Sequence, residues 1–534
     1  MKWFVPCVAM TLACIAQSLP AQVAAPVPKW AHGGCFASWC QTGWYSSPAV
    51  VDIDGDGVRD VVAGSYDVVA LDGTSGALKW RAESGGRVWP GVAVGDLDGD
   101  GQAEIVAGRS GGEVSVYRLD GGLRPGWPVA AFASGEVRSL ALGDLDRDDR
   151  LAVVAGVATS TSVHQVTVRA ANGTLRAGWP ARHAGEPGYG AGMYNQNLAV
   201  ADLDADGFAD VLAPTDTHYV TALDRNGAQL RAHPIYGQSS DGTARKTWAE
   251  VGVHVDQAAD LRGYAECGFE HRPNFASASP AIADVDGDGT REFVLPGNVY
   301  DCAESPYESL YYDVWLLRAD RTRWAAAPWD WTAIPPQGAS GAPLSEDYGV
   351  IQNIAANVVV ADLDRDGRGE ILLPSYDGKL HAWWLDRNEH HAWPYVIPGA
   401  GFHFASEPVV ADLDNDGFAE VLFTSWGQNG NGESGRLHVL NHRGEPLHVL
   451  ALPAARGGSW SGGLAAPTLD DIDGDGELEL VALTSGAGVV AFDLPGTRRA
   501  RVLWATGRGS YLRAGIAAND RIFGDGFGAR GTGE

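Results

Sequence analysis

Positive charge is scarce in this sequence: 39 lysines and arginines stand against 67 aspartates and glutamates, for a formal net charge of −28 and an isoelectric point near 4.8. No basic stripe is available to neutralise phosphates, which excludes nucleic acid as a partner. Charged residues of both signs make up only 20 % of the chain, while glycine reaches 70 residues. That balance excludes a bundle of charged helices and points to short strands and tight turns. Past the N-terminal segment no stretch reaches the roughly 18 apolar residues of a membrane-spanning helix, so no membrane span is expected in the mature chain. The signature H-E-x-x-H and a phosphate-binding glycine loop are both missing.

Cysteine is also rare, with six in all. The start, "MKWFVPCVAMTLACIAQSLPAQVAA", has one lysine, an apolar run and then small residues, the pattern of a secretory signal peptide. Residues 1–21 are expected to be removed, with the cut between 18 and 25, and the product to be periplasmic, surface-bound or secreted. Thr11, three residues before Cys14, argues against a lipoprotein cysteine. Cys7 and Cys14 leave with the signal, and Cys35, Cys40, Cys267 and Cys302 remain. An even set in an exported protein implies disulfides. Cys35–Cys40 closes the short loop "CFASWC", which leaves Cys267–Cys302.

What the sequence does have, in abundance, is one acidic phrase. It occurs as "DIDGDGVRD" from Asp52, "DLDGDGQAE" from Asp96, "DLDRDDRLA" from Asp144, "DLDADGFAD" from Asp202, "DVDGDGTRE" from Asp284, "DLDRDGRGE" from Asp362, "DLDNDGFAE" from Asp412 and "DIDGDGELE" from Asp471. The copies start 44 to 82 residues apart. The shorter spacings match one blade of a four-stranded propeller, and the two longest imply insertions at about 230–279 and 323–357. Each copy lies between a short apolar run such as "PAVV" and a second such as "DVVAGS". A third follows ("VVALD"), then a glycine turn and a weaker fourth ("SGALKWRAES"). Such runs are too short and too often interrupted for helices. Eight units of four antiparallel strands spell an all-β, eight-bladed β-propeller over residues 45–507, with seven blades as the alternative. Residues 22–44 offer a ring-closing strand, since "VPKWAHGG" is similar to the fourth-strand phrase "LKWRAESGG". Residues 508–534 read as a C-terminal tail.

Acids packed this tightly repel one another unless a cation lies between them. Carboxylates at positions 1, 3, 5 and 9 of a bend, with glycine at 6, make an oxygen-only cage, and oxygen ligands at this density select Ca²⁺. The expected ligands are Asp52, Asp54, Asp56 and Asp60; Asp96, Asp98, Asp100 and Glu104; Asp202, Asp204, Asp206 and Asp210; Asp284, Asp286, Asp288 and Glu292; Asp362, Asp364, Asp366 and Glu370; Asp412, Asp414, Asp416 and Glu420; and Asp471, Asp473, Asp475 and Glu479. An EF-hand would need glutamate at position 12, where this chain has Ala63, Ala107, Ala213, Leu295, Leu373, Phe423 and Ala482 inside apolar strands. The copy from Asp144 departs from the rule, with Asp149 for the glycine and Ala152 for the closing acid, so about seven ions are expected. Seven divalent cations would halve the formal charge of −28.

On the phrases "ADLDADGFADVLAP", "ADLDNDGFAEVLF", "NGTLRAGWP" and "GGLRPGWP", the chain resembles the FG-GAP/VCBS repeat family, whose blades are like those of the integrin α-subunit propeller. The resemblance covers about 45–507. It implies calcium ligands at the D-x-D-x-D-G-x-x-[DE] residues named above, in every copy but the third. It leaves activity open, because the family includes adhesion modules, lectins, accessory domains of exported proteins and polysaccharide lyases.

Propeller geometry puts the acidic loops and the strand 3–4 turns on one face. Inter-blade connectors, hence both insertions, are expected on the other. The insertions carry Trp248, Tyr264, Phe269, Trp324, Trp329, Trp331 and Tyr348, which suit a sugar or a protein partner or else pack down to cover the propeller. Tyr311 and Trp315 read as ordinary strand residues. His254, Asp256, Glu266 and His271 are the weak candidates for acid–base chemistry. The resulting expectation is an exported, calcium-binding, non-catalytic binding, adhesion or structural module for carbohydrate or extracellular protein. The alternative is a polysaccharide lyase working on the insertion-bearing face.

Overall fold

The turn chemistry of the repeat sets the local structure. In blade one Ala49–Val51, Asp60–Gly64, Val68–Asp72 and Leu78–Ala82 form a four-stranded antiparallel sheet in sequence order. Val61 pairs with Val50 on one side and Leu71 on the other. The first three strands are almost wholly buried, because each is flanked by neighbouring blades, whereas the fourth alternates between half-buried and exposed. The computed structural model describes residues 1 and 23–516, apart from 37–39, 41–45, 83–85, 159–163, 181–191, 216–217, 240–241, 243, 256–272, 278, 302–307, 333–340, 348–349, 351–355 and 429–432.

Seven further sheets repeat this plan, giving an eight-bladed β-propeller. Their inner strands are Ala93–Gly95, Glu136–Gly143, Ala199–Ala201, Ala281–Ala283, Val359–Ala361, Val409–Asp412 and Thr468–Asp470. In blades three, four and five the fourth strand shrinks to single bridges, Arg169 with Leu175, Leu223 with Gln229 and Leu317 with Arg323. Tyr311 and Trp315 lie on the third strand of blade five, Glu308–Leu317. Blade eight takes its outer strand from the other end of the chain: Val27–Gly33 pairs with Gly488–Leu494, Pro28 opposite Phe492. Both ends of the propeller are thereby held in one sheet.

The segment after the last blade does not leave the ring. Arg501–Trp504 pairs with the inner strand of blade seven, Val410 opposite Trp504. The chain then runs through the axis and accepts a backbone hydrogen bond from one inner strand after another: Leu469 to Ala505, Val94 to Tyr511, Leu142 to Leu512, Val200 to Ala514 and Ile282 to Gly515, at 2.8–3.0 Å. Arg513, 1 % exposed, donates to the carbonyls of Ser47, Pro48 and Val92 at 2.9–3.0 Å, and Arg508 to those of Leu198 and Pro280. Glu407 accepts from Asn357, Trp504 and the Arg508 backbone. Residues 508–516, which the sequence pattern assigns to a tail, are therefore a buried plug that ties blades one to five together.

A second ring lies further out. Tryptophan Nε1 atoms on or after the fourth strands donate to a carbonyl of the next blade: Trp30 to Gly73, Trp80 to Leu119, Trp127 to Ala171, Trp179 to Arg225, Trp248 to Ala319, Trp331 to Leu385 and Trp393 to His442, at 2.7–3.2 Å. Trp248, Trp324 and Trp331 are buried, so of the two roles open to these insertion aromatics they take the packing one. Tyr264, Phe269 and Tyr348 lie outside the described residues.

One part of the first insertion departs from the face expected for it. The described residues between 231 and 247 lie beside the strand 3–4 turn of blade five, with His233 N donating to Asp320 O and Tyr236 Oη to Arg321 O. That is the face of the acidic loops. The excursion begins directly after Leu230, before the blade's outer edge is complete, so it emerges at the wrong end for a connector. Val253 N, by contrast, donates to His218 O at the other end of blade four. Residues 341–347 of the second insertion keep to the opposite face, where Leu344 N donates to Tyr376 O and Ser309 N to Glu346, whereas Trp329–Trp331 lie beside the strand 3–4 turn of blade six.

Candidate metal centres

Each acidic phrase folds into the same tight bend between strands one and two. The acid at position 1 accepts backbone N–H groups from within the loop: Gly55 and Gly57 donate to Asp52, Gly99 and Gly101 to Asp96, Gly287 and Gly289 to Asp284, Gly474 and Gly476 to Asp471, at 2.7–3.0 Å. Gly207, Gly367 and Gly417 donate likewise to Asp202, Asp362 and Asp412. The acid at position 5 accepts the N–H of position 7, as from Val58 to Asp56 and Gln102 to Asp100. Gly57 at position 6 has φ 87° with open space where a Cβ would project, so the dihedral angle alone calls for glycine. The phrase hides a second such position. Position 4 also has positive φ, and Ala205, Asn415, Arg147 and Arg365 adopt it at 57–63°. The third copy keeps the bend, with Asp149 at φ 60° donating to Asp144 at 3.0 Å.

The closing acid at position 9 is the anchor of the cage. One of its oxygens accepts the N–H of position 2: Ile53 to Asp60, Leu97 to Glu104, Leu203 to Asp210, Val285 to Glu292, Leu363 to Glu370, Leu413 to Glu420 and Ile472 to Glu479, at 2.7–3.2 Å. All seven acids are buried, and Asp60, Glu104 and Asp210 each bring an oxygen to the acids at positions 1 and 3 of their bend. Oxygens of Asp52, Asp54 and Asp60, of Asp96, Asp98 and Glu104, of Asp202, Asp204 and Asp210, and of Asp284, Asp286 and Asp288 gather within 4.8 Å in each set. Burial, followed by the nearby carboxylates, pushes Asp210, Glu292 and Glu420 up to about 8 and Glu370 to about 9. Asp202 Oδ1 and Asp362 Oδ1 are buried with no hydrogen-bond partner. An all-oxygen donor set with buried, unsatisfied carboxylate oxygens fits a hard divalent cation, whose charge would let every acid ionise.

Some cages contain a side-chain cation. Lys79 Nζ lies 2.8 Å from Asp54 and 2.7 Å from Asp60. Lys29 Nζ lies 2.6 Å from Asp473 and 3.7 Å from Glu479. Arg124 pairs with both Asp98 and Glu104. Arg176 forks onto Asp146 of the third copy at 2.6 Å. Burial pulls Lys29 and Lys79 down, yet their carboxylate partners hold both above the usual lysine range.

Of the remaining candidates only His254 lies among the described residues. His254 is 2 % exposed and its carbonyl accepts from Arg323. Asp256, Glu266 and His271 lie outside the described residues. The Cys35–Cys40 disulfide is formed; Cys267 and Cys302 also lie outside them. Among the described residues no helix is long and apolar enough to cross a membrane.

The fold and the acidic bends define an eight-bladed β-propeller with one acid-lined hairpin per blade. Residues 96–155 and 362–423 match the family model of the FG-GAP-like repeat, so two stretches of this propeller carry that repeat. No curated protein sequence matches it. Similar solved structures include the V. cholerae biofilm matrix protein Bap1, 14 % identical, covering 89 % of this chain and 92 % of that one with a TM-score of 0.38. A Bacillus licheniformis rhamnogalacturonan lyase, PL11, is 17 % identical over 88 % of this chain and 75 % of its own, TM-score 0.43. The exotype rhamnogalacturonan lyase YesX is 16 % identical over the same shares, TM-score 0.46.

Proposed function

We propose that this is an exported, calcium-loaded propeller acting as a non-catalytic binding or structural module for carbohydrate or extracellular protein. The observation that carries the reading is the closing acid: seven buried carboxylates, each fixed by one backbone N–H in a bend that holds the other acids of its phrase. Calcium bound there would pin strand one to strand two in each loaded blade. Ligand bound only to the folded state raises its stability by mass action. The acidic loops crowd one face with negative charge. The opposite face, with the exposed rings of Phe36 and Tyr66 and the exposed Leu344, is the better surface for a neutral glycan or a protein. Melting the mature protein with calcium and after exhaustive chelation tests the metal. A large fall in melting temperature is expected, and an unchanged melt contradicts the reading. Incubation with acidic polysaccharides should give no ultraviolet-absorbing unsaturated product; its appearance would make the protein a lyase.

A further inference from the structure

The side-chain cations in the cages follow one structural position. Strand register defines it. In blade one the residue after the closing acid, Val61, pairs with Leu71, Leu71 pairs with Leu78, and the next residue is Lys79. The same path leads to Arg124 in blade two through Tyr117 and Leu123, and to Arg176 in blade three through Arg169 and Leu175. In blade eight it leads to Lys29 through Phe492 and Pro28. In blades four, five and seven it leads to Leu230, Trp324 and Leu447. In blade six the equivalent residue is His390, whose carbonyl accepts from Trp393 N as that of Arg124 does from Trp127 N, and whose ring turns to Asp386 at 2.9 Å. The base is present in four consecutive blades, eight, one, two and three, and replaced in the other four. Among the described residues no lysine or arginine bridges the acids at positions 3 and 9 in blades four to seven.

We infer that in blades eight, one and two a tethered side-chain cation takes the place of the metal, so that the ring carries two classes of cage. This rests on the calcium reading above and divides its seven sites. The ammonium of Lys79 lies at 2.7–2.8 Å on the two oxygens, one from position 3 and one from position 9, that a calcium ion would need at about 2.3–2.6 Å. Metal entering must expel a group that is held at high effective concentration by its own strand. Among the described residues, blades four to seven have no such group on the acids at positions 3 and 9 (in blade six Arg368 pairs only with the position 5 acid, Asp366, at the exposed edge of the bend), and they hold calcium about tenfold more tightly or better. Blade three, with Arg176 on Asp146 and no closing acid, takes none. Half of the ring is thus self-neutralised. Calcium governs the other half, the arc from which both insertions emerge.

Calcium titration of the chelated, full mature chain by calorimetry, with bound metal counted by elemental analysis, tests the division. Four tight ions are expected, with weaker binding beyond. Lys79→Met and Lys29→Met should each add one tight ion. Leu447→Lys, at a position 37 % exposed where the fold tolerates a longer polar side chain, should remove one. Hydrogen exchange after chelation should rise in the sheets of blades four to seven and change little in blades eight, one and two. Seven equivalent tight sites, a count that none of the variants alters, or loosening spread evenly around the ring would overturn the division while leaving the calcium reading intact. No calcium bound by any of these proteins would instead overturn the calcium reading itself.

Discussion

His438 and the closing acids face the same difficulty, an ionisable group held out of water, and answer it in opposite ways. Burial pushes His438 down to about 3, so its ring stays neutral, stacked on Phe423 at 4.6 Å with Ser425 Oγ at 2.9 Å from Nε2. The acids are pushed up and wait for a cation. For His438 the unfolded chain binds the proton more readily, so its contribution is complete above the ordinary histidine value near 6.5 and is lost as pH falls from there toward 3. Denaturant melts of the calcium-loaded protein should lose up to about 1.4 kcal/mol per pH unit from this group across that window. In His438→Gln that part of the slope should vanish; a slope identical to wild type would contradict the account. The acids themselves are plain in the sequence, because their partners lie within nine positions of the same bend. Lys79 and Lys29 are not, since Lys29 meets Asp473 across 444 residues and only through the ring-closing strand.

At the scale of the element, the repeat was legible wherever contacts are local. Apolar runs separated by aspartate and glycine became adjacent antiparallel strands, because each pairs with the next along the chain. The phrase "GWP" marks the junctions between blades, but its physical role is visible only in three dimensions, where Trp127 Nε1 reaches Ala171 O at 2.8 Å. Removing that donor leaves a carbonyl without its partner, so Trp127→Phe should cost about 1–2 kcal/mol in a chemical melt. Trp393→Phe, several blades away, should cost a similar amount, and the double variant should equal the sum. No measurable cost in either single variant would mean the latches are packing contacts alone.

At the scale of the molecule, closure depends on both chain ends, and the sequence reveals them unequally. The first end shares its phrase with other fourth strands. The second, "ATGRGSYLRAGI", has no strand alternation, and its partners are inner strands of five separate blades, so nothing local announces a plug. The two buried guanidiniums donate to the carbonyls just before the inner strands of blades one, two, four and five. Truncation after Trp504 should therefore destabilise the ring far more than truncation after Ile516. Arg513→Met, which keeps much of the volume, should lower stability by about 3 kcal/mol or more by stranding several buried carbonyls at once. Equal melts for the two truncations would refute the structural role of the plug.

The acidic hairpins organise all three scales, and their occupancy is directly countable. Elemental analysis of the mature protein, purified from calcium-containing medium and freed of loose ions by gel filtration, should find calcium in excess of every other divalent metal, at four or more ions per chain. A protein that emerges folded and free of divalent metal would contradict the account.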